Sequence, residues 1–308
     1  MKKPRIGMVG LGNIAQKAYL PILTKEENWN FIGAFSPSKE KRKKICSNYR
    51  IQDFDRLDIL ADQCDALFVH SSTNSHFEVV SYLLNNGKDV YVDKPLAATL
   101  QEAEKLAELS IKLNRKLMVG FNRRFCPMYV KAKEQAKNIA IIRFEKHREN
   151  SIGPNSFEFT MLDDYLHLVD TVRWFANGDM KLINGKVQLN LNNQLEYATH
   201  QYESKDGLMV NTDMHRKAGT NLERLELITE GSIIRVKNMN NYEIEQNNSI
   251  NNSFSSSWDT TLKQRGFEDC INHFINCINS DENPSINGEE ALKSQIIVEE
   301  IIRQANER

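Results

Sequence analysis

Residues 6–15, Ile-Gly-Met-Val-Gly-Leu-Gly-Asn-Ile-Ala, decide how the N-terminal part of the chain folds. A short apolar run ends at Val9, and a G-x-G-x-x-A motif follows it and opens an apolar helical pattern. In this strand-to-helix context Gly10 permits a tight turn, Gly12 lets the backbone approach a pyrophosphate, and Ala15 allows close helix–strand packing. The new helix also offers free N–H groups and a positive dipole end to phosphates. The motif therefore predicts a dinucleotide-binding loop, with a plain glycine turn as the alternative. The predicted cofactor contacts in this loop are Gly10, Gly12, Asn13, Ile14 and Ala15.

Strand and helix patterns alternate from this loop to residue 120. Further short apolar runs lie at residues 31–35, 66–69, 90–92 and 117–119, with helical patterns between them. Strands that are apolar throughout and alternate with helices are typical of a parallel sheet covered on both faces. The predicted fold class is therefore α/β, and residues 1–120 form a doubly wound nucleotide-binding domain of the Rossmann type.

The pattern changes after Gly120. Residues 181–246 contain several runs in which apolar and polar residues alternate, which predicts a large open, mostly antiparallel sheet in a C-terminal α+β domain. Residues 238–253 contain seven Asn and predict a solvated loop or a hairpin tip. Helical patterns at 267–278 and 291–302 complete this domain, which we assign to residues 121–308.

Composition excludes several classes of function. The chain of 308 residues has 40 Lys and Arg against 41 Asp and Glu, so it lacks the broad basic surface of a nucleic-acid-binding protein. No apolar run approaches the roughly 18 residues of a membrane span. Pro4 and nearby glycines interrupt the first apolar stretch, so we expect no signal peptide and a cytoplasmic location. The five cysteines are odd in number and form no CxxC pair, which predicts neither a disulfide framework nor a metal site.

The residues after the second predicted strand bear on the choice of a nicotinamide cofactor. An NAD site usually places Asp or Glu at this strand end to bind the ribose 2′-hydroxyl, and no acid stands there. The following helix begins with several cations, which oppose its dipole unless an anion is bound nearby. A 2′-phosphate is such an anion, so we predict NADP(H), with NAD(H) as the alternative. The candidate contacts are Ser36, Ser38, Lys39 and Arg42.

Two further segments carry candidate catalytic residues. Lys94 follows a predicted parallel strand, where side chains commonly contact a ligand. In a helix predicted from residue 161, Asp163 and His167 are four residues apart and share a face. A carboxylate beside an imidazole raises its basicity, which suits removal of a hydroxyl proton. We interpret Asp170 as structural, in a pair with Arg173 one helical turn later.

These motifs together resemble the glucose–fructose oxidoreductase/inositol dehydrogenase/MocA (Gfo/Idh/MocA) family over nearly the whole chain. The resemblance is carried by GLGNIA at 10–15, VDKP at 92–95, D-x-x-x-H-x-x-D at 163–170 and ERLELITEGSI at 223–233. The stretches GLGNIAQKAYLPIL at 10–23, VGFNRRF at 119–125 and MLDDYLH at 161–167 are most similar to an MviM-like subgroup. The family implies hydride transfer between nicotinamide and a carbinol carbon of a sugar or polyol. It also implies a homodimer or homotetramer built through the C-terminal sheet.

The resemblance assigns roles to the three candidate catalytic residues. Lys94 matches the lysine of the family's E-K-P motif, and Asp163 and His167 match the acid and the histidine of its second motif. His167 is then expected to accept the hydroxyl proton, Asp163 to orient or stabilise it, and Lys94 to bind the reacting oxygen. The cofactor contacts that the resemblance adds are Ser71, Thr73, His76, Asp93 and Lys94.

The chain departs from the family pattern near the expected substrate pocket. Phe157-Glu158-Phe159 and Tyr165 stand where the family has glycines, and the usual T-P-N-x-x-H segment reads S-S-T-N-S-H at 71–76. Basic clusters follow predicted strands at 122–124, 146–148 and 215–217. If two of these converge, we expect an anionic substrate such as a sugar acid or sugar phosphate. The candidate substrate contacts are Asn122, Arg123, Arg124, His147, Arg148 and Tyr165.

Two other functions remain open at this point. One is an NAD-dependent glycosidase of the same family, whose cofactor undergoes no net reduction. The other is a non-catalytic NAD(P)-binding sensor or scaffold whose pocket is filled by Phe157, Phe159 and Tyr165.

Overall fold

Six strands form a parallel sheet in the computed structural model of the chain, which describes residues 3–25 and 27–307. They are β1 (Arg5–Val9), β2 (Asn30–Phe35), β3 (Asp53–Phe54), β4 (Ala66–Val69), β5 (Asp89–Val92) and β6 (Leu117–Val119). Their spatial order, β3-β2-β1-β4-β5-β6, is that of the dinucleotide-binding doubly wound fold, and the pairings are parallel. The predicted Rossmann sheet is therefore confirmed.

Helices alternate with the strands of this sheet and recur in the C-terminal part. In chain order they are α1 (Leu20–Leu23), α2 (Lys39–Tyr49), α3 (Leu57–Gln63), α4 (His76–Asn85), α5 (Leu100–Lys112), α6 (Pro127–Gln135), α7 (Phe157–Thr160), α8 (Leu166–Phe175), α9 (Thr261–Gln264), α10 (Phe267–Ile278) and α11 (Gly288–Asn306). Two further segments, Ala15–Tyr19 and Met161–Tyr165, are π-helical. Within residues 3–25 and 27–307, no helix combines the length and the apolar character of a membrane span.

Local sequence explains where α5 begins and which face it buries. The Thr99 hydroxyl accepts a hydrogen bond from the Glu102 backbone N–H at 3.3 Å, and the Glu102 carboxylate accepts one from the Thr99 N–H at 3.3 Å. This reciprocal capping box satisfies two N–H groups that a helix start leaves unpaired. Ala103, Leu106 and Ala107 then follow at helical spacing and are buried. The helix therefore starts at its cap and packs through its apolar stripe.

Eight strands form a second, mostly antiparallel sheet. They are β7 (Ile139–His147), β8 (Met180–Leu189), β9 (Leu195–Ser204), β10 (Met209–His215), β11 (Leu222–Thr229), β12 (Ser232–Lys237), β13 (Asn241–Gln246) and β14 (Ser249–Phe254). The spatial order is β14-β13-β12-β11-β7-β10-β9-β8, and β7 and β10 pair in parallel. The predicted large open, mostly antiparallel sheet is therefore confirmed.

Strand β7 shows how the two faces of this sheet differ. Ile142, Phe144 and Lys146 are buried on the face that α8 packs against, whereas Arg143 and Glu145 alternate with them on the other face. One cation, Lys146, therefore enters the helix-covered side of the sheet.

The Asn-rich segment at 238–253 includes a hairpin, one of the two predicted alternatives, and its outer strand is mostly exposed. Strands β13 and β14 pair in register from Asn241 with Phe254 to Gln246 with Ser249. Asn247 and Asn248 between them have φ angles of 51° and 59°, as a two-residue type I′ turn requires. Strand β14 lies at the sheet edge and is mostly exposed, so its polar composition suits solvent.

Helix α10 belongs with the first sheet, which corrects its predicted place in the C-terminal domain. The Phe274 ring lies 5.5 Å from that of Phe68 in β4, and the Cys270 sulfur lies 3.3 Å from the Tyr91 hydroxyl in β5. The first compact unit accordingly comprises the chain up to Phe121 together with Phe267–Leu292, and the second comprises Asn122–Gly266 and the chain from Lys293 onward. The apolar face of α10 was recognised from the sequence, but the sheet that it covers was not.

Candidate active site

The glycine loop after β1 forms a cradle at the carboxyl end of the parallel sheet. Gly10 has a φ of +91°, and its N–H donates to the Phe35 carbonyl at 2.8 Å. A Cβ on Gly10 would lie 2.5 Å from the backbone of His70 and Ser71, so only glycine fits. A Cβ on Gly12 would meet its nearest neighbour, the His70 carbonyl oxygen, at 3.8 Å. The backbone of His70 and Ser71 therefore packs closely against Gly10, whereas Gly12 has open space around it.

The helical segment after this loop presents its N-terminus beside the open position. Ala15 is fully buried against the sheet, whereas Asn13 is exposed. The Gln16 N–H donates to the Gly12 carbonyl at 3.2 Å, which fixes the first turn. A bare glycine surface next to helix N–H groups fits the pyrophosphate of a dinucleotide. These residues therefore fit the cofactor that the motif predicts.

The turn after β2, where a ribose 2′-substituent is expected, lies beside two cations of α2, Arg42 and Lys39. The Arg42 guanidinium pairs with the Asp53 carboxylate and donates to the Ser36 carbonyl at 2.9 Å. Arg42 is buried, and its hydrogen bond to the Ser36 carbonyl stabilises the turn. Ser38 and Lys39 are exposed at the start of α2, and the Ser38 side chain makes no capping hydrogen bond. Lys39 is therefore an accessible cation at this position.

His76 links the loop after β4 to the turn after β5. Its Nδ1 lies 2.9 Å from the Pro95 carbonyl oxygen, and its Nε2 lies 3.3 Å from the Ser71 carbonyl oxygen. Burial lowers the pKa of His76, so the ring is neutral near pH 7 and donates through one nitrogen only. The shorter distance assigns that proton to Nδ1. His76 thereby positions the half-buried Lys94, whose peptide bond to Pro95 is cis.

The structure thus brings several predicted cofactor contacts to one edge of the first sheet. Ser71 and Thr73 stand in the turn after β4, and Asp93 and Lys94 follow β5, whose Asp93 N–H donates to the Val69 carbonyl at 3.0 Å. Carboxyl ends of neighbouring parallel strands are where ligands bind in doubly wound folds. This edge is the candidate cofactor site of the first unit.

His70 is a residue of this edge that the sequence analysis missed. It follows β4 directly, and its ring centroid lies 3.7 Å from that of Tyr19. Burial lowers the pKa of His70 to about 3. Neither ring nitrogen has a hydrogen-bond partner among the described residues. No sequence signal marked this residue, because its surroundings depend on Tyr19 in the distant π-helical turn.

The second unit carries the other candidate catalytic residues on one helical segment. Asp163 is exposed within the π-helical turn Met161–Tyr165, and His167 is nearly buried in the following α8. The shared face of these two residues was predicted for a regular α-helix. A π-turn widens the helix locally and is frequent at functional sites. The pair Asp163 and His167 therefore spans the junction of a π-helical turn and the α-helix that follows it.

Asp164, which follows Asp163, is the centre of a cationic cluster. Its carboxylate pairs with Lys146 and Arg216, and the Arg148 Nη2 lies 3.1 Å from its Oδ1. Burial alone would raise the pKa of Asp164, but the Lys146 and Arg148 charges hold it well below its usual range. Burial, together with the Arg123 guanidinium, lowers the pKa of Lys146 to about 8. The cluster thus converges on the segment that carries Asp163 and His167.

A second buried ion pair lies beside this cluster. The Arg123 Nε and Nη2 atoms donate to the two Glu223 carboxylate oxygens at 2.8 Å each, and the Tyr129 hydroxyl donates to Glu223 at 3.0 Å. Burial would raise the pKa of Glu223, but Arg123 lowers it to about 2. The predicted basic segments 122–124, 146–148 and 215–217 therefore each contribute one or more cations to the same region.

Asn122 and Arg124, which the sequence predicted as substrate contacts, serve the interior of the second unit instead. The Asn122 amide donates to the Arg265 carbonyl at 2.7 Å. The Arg124 guanidinium donates to the Asp170 carboxylate at 2.9 and 2.6 Å, and Ser294 donates to the same carboxylate at 3.0 Å. Asp170 therefore pairs with Arg124, and its predicted pairing with Arg173 is wrong. Both predicted contacts are buried by partners within their own unit.

His147 and Tyr165 are corrected in the same way. His147 lies on the other face of β7 from Lys146, and its Nε2 lies 2.8 Å from the Glu145 carboxylate. Tyr165 is fully buried, and its hydroxyl lies 2.6 Å from His200 Nδ1 and 2.7 Å from the Thr212 hydroxyl. Their polar groups are already engaged by partners within the second unit. Of the predicted substrate residues, Arg123 and Arg148 remain together.

The aromatic residues that replace family glycines divide between core and surface. Phe157 is fully buried, whereas Phe159 is 47% exposed. Together with Tyr165, whose hydroxyl is already hydrogen-bonded, they do not form one aromatic plug within the second unit.

Among the described residues, no group of three or more His, Cys, Asp or Glu side chains is arranged to hold a metal ion.

Comparison with known proteins identifies the family. Residues 4–121 match the family model for oxidoreductases with an NAD-binding Rossmann fold, and residues 127–247 match the model for the C-terminal domain of YceM-like proteins. The protein YceM of Salmonella typhimurium is 46% identical to the chain over 305 residues, which are 99% of each sequence. The chain belongs to the Gfo/Idh/MocA family. This membership confirms the resemblance and makes the protein an NAD(P)-dependent dehydrogenase or reductase of a family that acts on sugar-like substrates.

Two further relatives extend the comparison of this Gfo/Idh/MocA protein. The crystal structure of the dehydrogenase MviM from Clostridium difficile superposes with a TM-score of 0.95 at 50% identity and covers 98% of this chain and 100% of that one. The inositol 2-dehydrogenase/D-chiro-inositol 3-dehydrogenase of Halalkalibacterium halodurans is 23% identical over 301 residues, 91% of this chain and 85% of that protein. The MviM structure therefore supports the predicted subgroup.

Proposed function

We propose that this Gfo/Idh/MocA protein transfers a hydride between NADP(H) and a sugar- or polyol-like alcohol or carbonyl, a class that includes sugar acids and sugar phosphates. The glycine cradle carries this proposal, because a tightly held Gly10 beside an open Gly12 fits a pyrophosphate. The inositol dehydrogenase among the relatives supports a polyhydroxylated substrate. Nicotinamide, when bound, supplies the hydride acceptor or donor.

We assign the proton chemistry to residues of the chain. In the direction of oxidation, the substrate hydroxyl proton passes to the imidazole of His167 as the carbinol C–H bond breaks. Asp163 stabilises the imidazolium that forms, and the Lys94 ammonium donates a hydrogen bond to the reacting oxygen. In the direction of reduction, His167 returns the proton to the carbonyl oxygen. His76 acts on Lys94 indirectly, through its contact with the Pro95 carbonyl.

Substitution of Gly12 by Ala tests the cofactor half of the proposal. We expect the variant to fold normally, because its Cβ would meet its nearest neighbour at 3.8 Å. The methyl group would stand where the pyrophosphate approaches, so we expect NADPH affinity to fall about tenfold or more, about 1.4 kcal/mol or more. Thermal denaturation with and without NADPH measures both effects, since ligand stabilises only the folded state. Equal NADPH stabilisation of wild type and variant would contradict the proposal.

Substitution of Lys39 by Glu tests the preference for NADP(H). A charge-assisted contact to the 2′-phosphate contributes about 1.5–3 kcal/mol, so we expect NADPH to bind at least about tenfold more weakly while NADH binding changes little. An acid at the start of α2 is favourable for the helix, so the fold is retained. Lys44→Glu, with the same charge change on an exposed residue of α2, is the control. Equal dissociation constants of wild type for NADPH and NADH would refute the preference.

A further inference from the structure

A cavity of about 420 Å³ lies within the second unit, and most of its charged lining is cationic. It opens between the end of β7, the start of β11 and the turn between β12 and β13. Its charged and polar lining includes Arg123, Lys146, Arg148, Asn221, Glu223 and Arg265. Its volume falls in the range of pockets that hold small ligands.

The charges around this cavity do not balance. Two carboxylates, Asp164 and Glu223, pair with four cations, which are Arg123, Lys146, Arg148 and Arg216. The group therefore carries a net charge of two positive units. Lys146 is the most enclosed of the cations, with a side chain only 3% exposed, and it lines the cavity.

An enclosed excess of positive charge is costly unless an anion compensates it. Asp164 and Glu223 raise the pKa of Lys146, but burial and the two neighbouring guanidinium groups outweigh them, and its pKa falls to about 8. Lys146 is thus enclosed in a cluster where cations outnumber the carboxylates that pair with them. Guanidinium groups bind phosphate and carboxylate oxygens through paired N–H donors, and an ammonium adds a point charge.

We propose that this cavity binds the anionic group of the substrate, a phosphate or carboxylate on a sugar, and thereby selects charged sugars over neutral polyols. The inference rests on the proposed oxidoreductase function for the substrate's identity, whereas the anion site itself stands on the cluster alone. Lys146 and Arg148 pair with Asp164, the residue next to Asp163. The anion site is thus built into the segment that leads to His167.

Inorganic phosphate is the first probe, measured by calorimetric titration of the full chain. Arg148→Gln is the main variant, because its side chain is 35% exposed and Asp164 keeps two other cations. We expect phosphate to bind this variant about tenfold more weakly than wild type. Arg224→Gln is the matched control, since Arg224 is an exposed Arg paired with Glu145 on the other face of the sheet, and we expect no change in its phosphate affinity. Arg265→Gln, an exposed residue of the cavity rim, should also weaken phosphate binding if Arg148→Gln fails to fold.

A Gly12→Ala background separates this site from the cofactor loop. Phosphate binding that persists with Gly12→Ala and weakens with Arg148→Gln supports the cavity, even if no nicotinamide cofactor binds. Phosphate binding that is lost with Gly12→Ala and unchanged with Arg148→Gln belongs to the cofactor loop and overturns the inference.

The source of the anion is then distinguished on the wild-type chain. Glucose 6-phosphate and gluconate are compared with sorbitol in the same titration. Tighter binding of either anion than of sorbitol supports the inference, and the tighter of the two names the group. Sorbitol binding as tightly as both anions overturns it.

Discussion

Replacement of His167 by Gln is expected to lower kcat/KM by about 10²- to 10⁴-fold while the chain still binds NADPH. A glutamine keeps much of the volume and the polar character of the imidazole but cannot accept a proton near pH 7. Positioned general bases contribute rate factors of this size. His167 is nearly buried in α8, outside the unit that holds the glycine cradle, so cofactor affinity should be little affected. The measurement is the appearance or loss of reduced nicotinamide with a substrate found by ligand screening of the NADPH-bound protein.

A matched histidine controls for effects of the substitution itself. His147→Gln makes the same change on the face of β7 away from Lys146, so we expect its kcat/KM to stay within about twofold of wild type. A His167→Gln variant with unchanged turnover would remove His167 from the mechanism. Loss of NADPH binding in the same variant would instead indicate a structural role.

The first sheet was predictable because its signals are local. The glycine loop, the five apolar runs and the helical patterns between them each occupy a short stretch of chain. The two-residue strand β3 has no such run and was not predicted. Helix α10 was misplaced because its partner is remote in sequence. Its residue Phe274 packs against Phe68 and Tyr91, some 200 residues earlier, and an apolar helix face does not specify which sheet will cover it.

The candidate site was only partly predictable for a similar reason. The sequence showed basic clusters after strands, but alternation along β7 decides which members meet. Lys146 lies on the helix-covered face of β7, and His147 lies on the opposite face. Side chains alternate between the two faces of a strand, and the prediction did not take this alternation into account. The π-turn at Met161–Tyr165 left no comparable signal, so the relation between Asp163 and His167 was drawn for a regular helix.

The environment of His70 could not be predicted from the sequence, because tertiary packing brings its neighbours together. The ring centroids of Tyr19, Phe68 and Tyr91 lie 3.7, 6.3 and 6.1 Å from that of His70. Such surroundings disfavour the charged imidazolium, and burial lowers the pKa of His70 from 6.5 to about 3. The protein therefore folds with this ring neutral, and the free energy of unfolding depends on pH where the unfolded chain protonates His70.

We expect the free energy of unfolding to fall as the pH drops below 6.5, in part through His70. The folded-state pKa is depressed, so between pH 6.5 and about 3 the unfolded chain binds the proton and the folded chain does not. The contribution of His70 is complete above pH 6.5 and decreases by up to about 1.4 kcal/mol per pH unit below it. Between pH 7 and pH 5 this amounts to about 2 kcal/mol. Carboxylates such as Asp164 and Glu223, whose pKa values are lowered, lose their stabilising charge only at lower pH.

Urea unfolding of wild type and His70→Phe at pH 7 and pH 5 checks this expectation. Phenylalanine keeps an aromatic ring against Tyr19 and removes the titrating group. His76 and His273, whose pKa values are also lowered, titrate in both proteins, so their contribution cancels in the comparison. Wild type should therefore lose about 2 kcal/mol more than the variant between the two pH values. Equal losses in the two proteins would show that His70 takes up its proton equally well in the folded and unfolded chains.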